Sequence, residues 1–365
     1  MQRVDSASAA IGTFTYDARC TQMPQGVNRT IRYAARVQAQ RMPEAVGNIG
    51  ARLRIDMRID GTPYTYVFDG ASIIRHNHAE RSSLTGDSES RAFTLISGGV
   101  PRSVLSTAIV AGTPMAGIVD AAIASDYLGT VRTAGERCAR IRFRYRDDAV
   151  ATRYTRTYDI SLRDFLPRQE VEEYLFDGRR CRNELLIRNL HVNPSLADTL
   201  FAVRPMPQYR VEYYSTGTPA PLLAVGSAAP DWQLVSGDGA THALHDYRGR
   251  IVLMDFWYST CGPCLKAMPE VERTHQRFRD SGVAVLGINA SEPGRDPAGF
   301  LRRRGITYPT MLHGDSVAAA YHVTGYPVFY IIGRNGTVLY AESGDREDLA
   351  EHLRDLLTRL LSDRR

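Results

Sequence analysis

Two domains of different class are predicted: a mainly antiparallel β domain, a curved sheet or half-barrel with helices on one side, followed by an α/β layer sandwich. Three observations carry that prediction. At 365 residues the chain is too long for one ordinary core. Its first part alternates apolar and polar residues with period two, as strands with one wet face do. After a stretch rich in Ser, Gly, Pro and Ala (STGTPAPLLAVGSAAPDW), the pattern changes to continuous apolar runs flanking an amphipathic helix. These observations set a β-rich domain at residues 1–214, a linker at 215–229 and a second domain at 230–365.

The elements of the first part follow from the alternation. Ile31, Tyr33, Ala35 and Val37 form one apolar row. Leu53, Ile55, Met57 and Ile59 alternate with Arg52, Arg54, Asp56 and Arg58. Ile141, Phe143 and Tyr145 alternate with Arg140, Arg142, Arg144 and Arg146, and the arginine rows are read as solvated sheet faces. Two helices are predicted between the strands, at Pro101–Ala111 and Pro114–Leu128, each opening on a proline suited to a first turn. Four strands are predicted over Glu136–His191, with turns at Arg146-Asp147-Asp148, around Pro167 and at Asp177-Gly178.

In the second part, Ile251–Trp257 and Val283–Asn289 read as buried parallel strands. The helix between them presents Cys264, Met268, Val271, His275 and Phe278 on one face. Val328–Ile332, the Arg334-Asn335-Gly336 turn and Thr337–Ala341 predict a hairpin. Leu349, Leu353, Leu356, Leu357 and Leu360 predict a closing helix.

Composition excludes several function classes. The chain is 43% hydrophobic and 23% charged, as soluble globular proteins are. No apolar run approaches the ~18 residues of a spanning helix. The N-terminal MQRVDSASAAIGTF lacks an export signal, so the expectation is a cytosolic protein or a mature form whose signal or anchor has been removed. The net charge of +5 is spread along the chain, almost all its cations are arginines, Lys266 is the single lysine, and no nucleic-acid partner is expected.

The chemistry is carried by WYSTCGPCLKAMPEV, where Cys261 and Cys264 flank Gly262 and Pro263 at a strand-to-helix junction. A zinc site would need two further ligands at short spacing, and none follows Cys264, so no metal is expected. A redox pair fits the junction. Cys261 would sit at the helix N-terminus, where free backbone N–H groups and the helix dipole stabilise a thiolate, while Cys264 lies one turn inward. Asp255, six residues before Cys261 on an apolar strand, should be desolvated and its pKa raised into a range useful for proton transfer. The alternative for Asp255 is a strand-end carboxylate facing water, and for Pro327 an ordinary trans proline opening a strand.

With these residues in view, the segment from about 222 to 365 resembles the thioredoxin superfamily, and within it the TlpA-like thiol-disulfide oxidoreductases. The resemblance rests on the lead-in VGSAAPDWQL, the strand IVLMDFW, the CGPC motif, Pro269 in the helix, and VTGYPVFYIIGRNG downstream. It implies a thioredoxin fold and a cis Tyr326–Pro327 bond facing the disulfide, with the Tyr326 backbone presented to a substrate strand. It also implies that Asp255 deprotonates the inner cysteine, and that Gly262-Pro263 favours a reductase over an oxidase. No cofactor beyond the cysteine pair is implied. Two positions depart from the family: Ala267 stands where many TlpA-like proteins have glutamate, and Thr260 where thioredoxin has tryptophan. Both bear on the redox potential. The single early cysteine flanked by Pro and Thr that peroxiredoxins use is absent.

The stretch DFLPRQEVEEYLFDGRRCRNELLIRNLHVNPSLADTLFAV resembles the C-terminal part of LolA-like lipoprotein-carrier domains, incomplete barrels around an apolar cavity. This implies a bacterial envelope location and a hydrophobic ligand or lipidated partner; the plainer expectation is a docking or spacer domain. Cys138 and Cys181 are expected not to bridge, because consecutive hairpins place Cys138 level with residue 190 or so. His76 and His78 share a strand face and are read as a surface pair. Two functions compete. One is a reductase of disulfide-containing envelope proteins, re-reduced by a thioredoxin-type or membrane donor. The other is an apolar-ligand carrier with an accessory redox domain. A periplasmic or envelope-anchored location is expected, with the cytoplasm as second choice.

Overall fold

The structure is a computed structural model. It describes residues 2–23, 30–46, 49–59, 61–87, 94–97, 102–106, 109, 115–148, 150–213, 221–290, 296–344, 346 and 348–362. Internal contacts divide the chain into two compact units, Met1–Asp147 with Ala151–Thr216, and Asp148–Val150 with Gly217–Arg365.

The first unit is one twelve-stranded sheet. Its strands are β1 (Thr13–Met23), β2 (Ile31–Val46), β3 (Ile49–Ile59), β4 (Thr62–Phe68), β5 (Ser72–Asn77), β6 (Ser82–Asp87), β7 (Ala124–Thr133), β8 (Glu136–Arg144), β9 (Thr152–Ser161), β10 (Pro167–Phe176), β11 (Arg179–Val192) and β12 (Arg210–Tyr213). Their spatial order is β12-β6-β5-β4-β3-β2-β1-β11-β10-β9-β8-β7. All neighbours are antiparallel except β12 on β6. The end strands β12 and β7 do not pair among the described residues, so the sheet stays open.

Period-two alternation builds its core. Phe14, Tyr16, Ala18 and Cys20 of β1, Tyr33, Ala35 and Val37 of β2, and Leu53, Ile55 and Met57 of β3 all point to one face. Ile96, Val104, Leu105 and Ile109 from the intervening segment cover that face. Short helices α1 (Gln2–Ala9), α2 (Thr94–Ser97) and α3 (Met115–Asp120) are among its helical elements.

Three expectations change here. The helix expected over 114–128 is helical only at α3, and Ala124 onward is β7, where Tyr127 faces Ile141 and Val131 faces Cys138. Ladder bonds to β8 satisfy this backbone and override local helix propensity. Of the helix expected at 101–111, Arg102, Ser103 and Ile109 are helical, residues 104–106 are not, and the rest lie outside the described residues. His76 and His78 are not a surface pair: His76 is buried with Nδ1 2.9 Å from Ser83 Oγ, and His78 lies 2.9 Å from both Thr65 Oγ1 and the Tyr209 hydroxyl. Hydrogen bonding inside the sheet explains both rings. No cluster of three metal-ligating groups occurs among the described residues.

The predicted wet row of β8 is only partly wet. Arg142 and Arg144 are exposed, but Arg140 forks onto Asp159, which is 1% exposed, through two 2.7 Å bonds. Register sets Cys138 opposite Ser161 and Cys181 opposite Tyr174; each lies near the start of its strand, and because β8 and β11 run in opposite directions the two thiols stand toward opposite ends of the sheet. Both remain free thiols, as does Cys20, and all three are buried. A cavity of about 290 Å³ on the core side is lined by Cys20, Arg102, Arg156, Glu170, Glu172 and Asn183 among others, so its walls carry charge of both signs.

The second unit is a three-layer α/β structure with a thioredoxin-like fold. A small hairpin, β13 (Gln233–Val235) and β14 (Thr241–Ala243), precedes a five-stranded sheet. The sheet comprises β15 (Ile251–Trp257), β16 (Val283–Asn289), β17 (Thr310–Met311), β18 (Val328–Ile332) and β19 (Val338–Ser343), in the order β17-β16-β15-β18-β19. β15, β16 and β17 are parallel, and β18 and β19 antiparallel. Every residue of β15 and β16 is buried, because helices cover both faces. On one face Val252, Met254 and Phe256 meet Val317 and Ala318 of α6 (Asp315–Ala320). On the other, Ile251 and Leu253 meet Ala267 and Val271 of α4 (Gly262–Phe278) and Leu353 and Leu357 of α7 (Leu349–Ser362). A further helix, α5 (Pro297–Arg303), follows β16. Residues 221–229, read from sequence as the end of a linker, are built into this unit: Leu222 and Leu223 pack on its core and the Leu223 N–H donates to the Tyr330 hydroxyl at 2.9 Å.

Candidate active site

The site forms where β15 gives way to α4. The strand ends at Trp257, the loop 258–260 follows, and the Cys261 N–H donates to the Tyr258 carbonyl at 3.1 Å. Cys261 is the N-cap of α4, with extended backbone. Its sulfur accepts the Cys264 N–H at 3.1 Å, taking the place of the hydroxyl or carboxylate that usually satisfies an unpaired first-turn donor. Gly262 and Pro263 fill the first two helical positions, where the missing proline N–H has no partner to lose. Cys264 completes the turn, its Cα 5.2 Å from that of Cys261, and the two sulfurs form a disulfide. Both cysteines are buried in this oxidised form.

Two further elements belong to this end of the unit. The Tyr326–Pro327 peptide bond, just before β18, is cis. The Tyr326 ring stands edge-on to Tyr258 at 5.2 Å, which brings the proline loop to the cysteine loop. Tyr326 is half-buried and Pro327 buried. The second element is Asp255, on the face of β15 that α4 covers. It is 1% exposed, not a strand-end carboxylate in water. Burial pushes its carboxyl up to about 7, against the lowering effect of a hydrogen bond from the Tyr308 hydroxyl at 3.0 Å. The other oxygen, Oδ1, has no hydrogen-bond partner among the described residues. Such a carboxyl is placed to change its protonation state in the neutral range.

Sequence reading missed Tyr308, which bonds this carboxyl, and Gly287 and Thr310 on the neighbouring strands. In register, Asp255 lies beside Gly287, and Gly287 beside Thr310. A Cβ at Gly287 would lie 2.7 Å from Thr310 Oγ1, 2.9 Å from Trp257 Nε1 and 3.0 Å from the Tyr308 ring. The glycine inside the apolar run VAVLGIN was the available signal, since glycine in a strand interior marks a close approach. Ala267, in the place of the family's glutamate, is buried and adds no second carboxylate.

The AhpC/TSA family matches residues 225–341. The thiol-disulfide oxidoreductase ResA of Geobacillus kaustophilus is 35% identical over 147 residues, covering 40% of this chain and 84% of the relative. The chain belongs to the ResA-like thiol-disulfide oxidoreductases. Other ResA-like relatives include ResA of Bacillus subtilis, 28% identical over 36% of this chain and 73% of that protein. Among solved structures, the thioredoxin domain of a thiol-disulfide oxidoreductase from Bacteroides vulgatus is 25% identical, covers 37% of this chain and 98% of that one, and superposes with a TM-score of 0.34. This ResA-like chain therefore carries its CGPC pair in the part matched by the family, and its sheet-forming first unit lies ahead of that match.

Proposed function

We propose that this protein reduces disulfides of envelope proteins through the Cys261–Cys264 dithiol, by way of a mixed disulfide. In the reduced protein the Cys261 thiolate, held at the α4 N-terminus, attacks one sulfur of the partner disulfide. A bond forms between Cys261 and that sulfur, and the other partner sulfur leaves as a thiolate that takes up a proton. The Asp255 carboxylate accepts the Cys264 proton, and the Cys264 thiolate attacks Cys261. The partner's second thiolate is released and the Cys261–Cys264 bond closes. Two electrons pass to the partner, and a thioredoxin-type or membrane dithiol donor returns them. The Tyr326 backbone, beside cis Pro327, lies alongside the bound substrate strand, and Gly262 and Pro263 keep the approach to Cys261 free of bulky side chains. The cysteine pair is the whole redox group.

The observation that supports this reading best is the joint placement of the pair: Cys261 sulfur on the first-turn N–H, with a buried carboxyl titrating near neutrality on the strand face beneath the same helix. The first unit serves as a docking or spacer domain in the periplasm or on the envelope. The carrier reading has less support, because two cavities of the first unit have charged walls, one with Arg102, Arg156, Glu170 and Glu172 and the other with Asp17, Arg36, Asp56 and Arg58, a poor match for an apolar ligand. Insulin reduction with dithiothreitol as donor tests the proposal: wild type should accelerate precipitation and Cys261→Ser should not. Equal inactivity of both proteins would favour the carrier.

A further inference from the structure

We infer that Tyr308 is a positioning residue that, through its hydroxyl bond to Asp255, sets the pH above which the resolving cysteine is deprotonated. The inference rests on the proposed role of Asp255 as proton acceptor for Cys264.

The Tyr308 ring packs in the core between the sheet and α4, and its hydroxyl has Asp255 as its hydrogen-bond partner. Its hydroxyl donates to Asp255 Oδ2 at 3.0 Å inside a wholly buried site. Burial and the nearby carboxylate hold the phenol well above its usual pKa, so it remains a donor throughout the working range. The ring is held in place from two sides: its edge meets His275 of α4 at 6.4 Å, and Glu272 accepts the backbone N–H groups of Thr307 at 2.8 Å and Tyr308 at 3.3 Å. Gly287 supplies the space, since any side chain there would strike the Tyr308 ring.

The titratable groups facing this region are few. Among the described residues Tyr308 alone hydrogen-bonds the carboxyl, Cys264 lies on the covering face of α4, and His275 and Glu272 of that helix meet Tyr308. From the antiparallel neighbour β18 the residue opposite Asp255 is Phe329, which is apolar. A donor to a buried carboxylate favours its charged form, so the tyrosine hydroxyl works against burial. Without it Asp255 would hold its proton to higher pH, and Cys264 would lose its base at neutral pH.

Two variants of nearly the same shape move the midpoint in opposite directions. Tyr308→Phe removes the donor, while 3,5-difluorotyrosine incorporated at position 308 makes a stronger one. Asp255 is read directly in the full-length oxidised protein from its protonated-carboxyl stretch in pH-difference infrared spectra, assigned with Asp255→Asn. The pH dependence of insulin reduction is measured in parallel. The Phe variant should raise the Asp255 midpoint by on the order of one pH unit, the fluorinated protein should lower it, and the acid limb of the rate profile should move with each. An unchanged infrared midpoint in both variants would overturn the role of Tyr308. A midpoint that moves while the rate profile stays fixed would leave Tyr308 as the group that tunes Asp255 and would instead sink the assignment of Asp255 as base.

Discussion

The Cys264 N–H donates to the Cys261 sulfur across 3.1 Å, so the outer sulfur occupies the capping position of α4. That bond persists in a thiolate and strengthens with its charge, which should make Cys261 the more acidic thiol after reduction. Alkylation of the reduced protein with iodoacetamide across pH, read by peptide mass, is expected to modify Cys261 first at every pH tested. Preferential labelling of Cys264 would place the nucleophile wrongly.

Asp255 should shape the pH dependence of turnover. With its carboxyl pushed up to about 7, the resolving step gains its base as pH rises through neutrality. Reduction of a peptide disulfide is expected to show an acid limb near pH 7 in wild type. In Asp255→Asn that limb should vanish, with the plateau rate at least about tenfold lower. An Asn variant that keeps the limb would assign it to another group.

The same carboxyl opposes stability. Because its folded pKa is raised to about 7 from 3.8, the unfolded chain loses its proton first as pH rises, and stability falls between about pH 4 and pH 7. Asp255→Asn in the oxidised form should therefore be more stable than wild type by up to ~4 kcal/mol at pH 8, and the gain should disappear near pH 4. Urea titrations at the two pH values measure it; an equal difference at both would remove the linkage.

Gly287 tests the packing around the carboxyl. Its Cβ position is within 3.0 Å of Thr310, Trp257 and Tyr308, the last two with rigid rings in a filled core. Gly287→Ala is expected to destabilise the protein by about 1–3 kcal/mol in urea unfolding. A neutral or stabilising effect would show that the neighbours yield.

Much of the second unit was legible because its signals are local. Ile251–Trp257 and Val283–Asn289 are unbroken apolar runs, the α4 face repeats at helical spacing, and Arg334-Asn335-Gly336 turns one strand into the next. Tyr308 was not legible. It precedes a strand of only two residues, Thr310–Met311, which is too short to show a period, and its partner Asp255 lies 53 positions away. In the first unit the alternation at Leu53–Met57 read correctly because one face is buried. Ala124–Leu128 misled because its strand state depends on β8, which follows it in the chain. His76 was misread for a similar reason: Ser83, its hydrogen-bond partner, comes from the next strand.

The most direct measurement is to capture the mixed disulfide itself. Reduced Cys264→Ala, mixed with a disulfide-bonded peptide and mapped by mass spectrometry, should carry the peptide on Cys261. Cys20, Cys138 and Cys181 should stay unmodified, since burial raises each of these thiols, Cys20 to about 11. No adduct on Cys261, or an adduct chiefly on one of the buried thiols of the first unit, would contradict the exchange chemistry proposed for the pair.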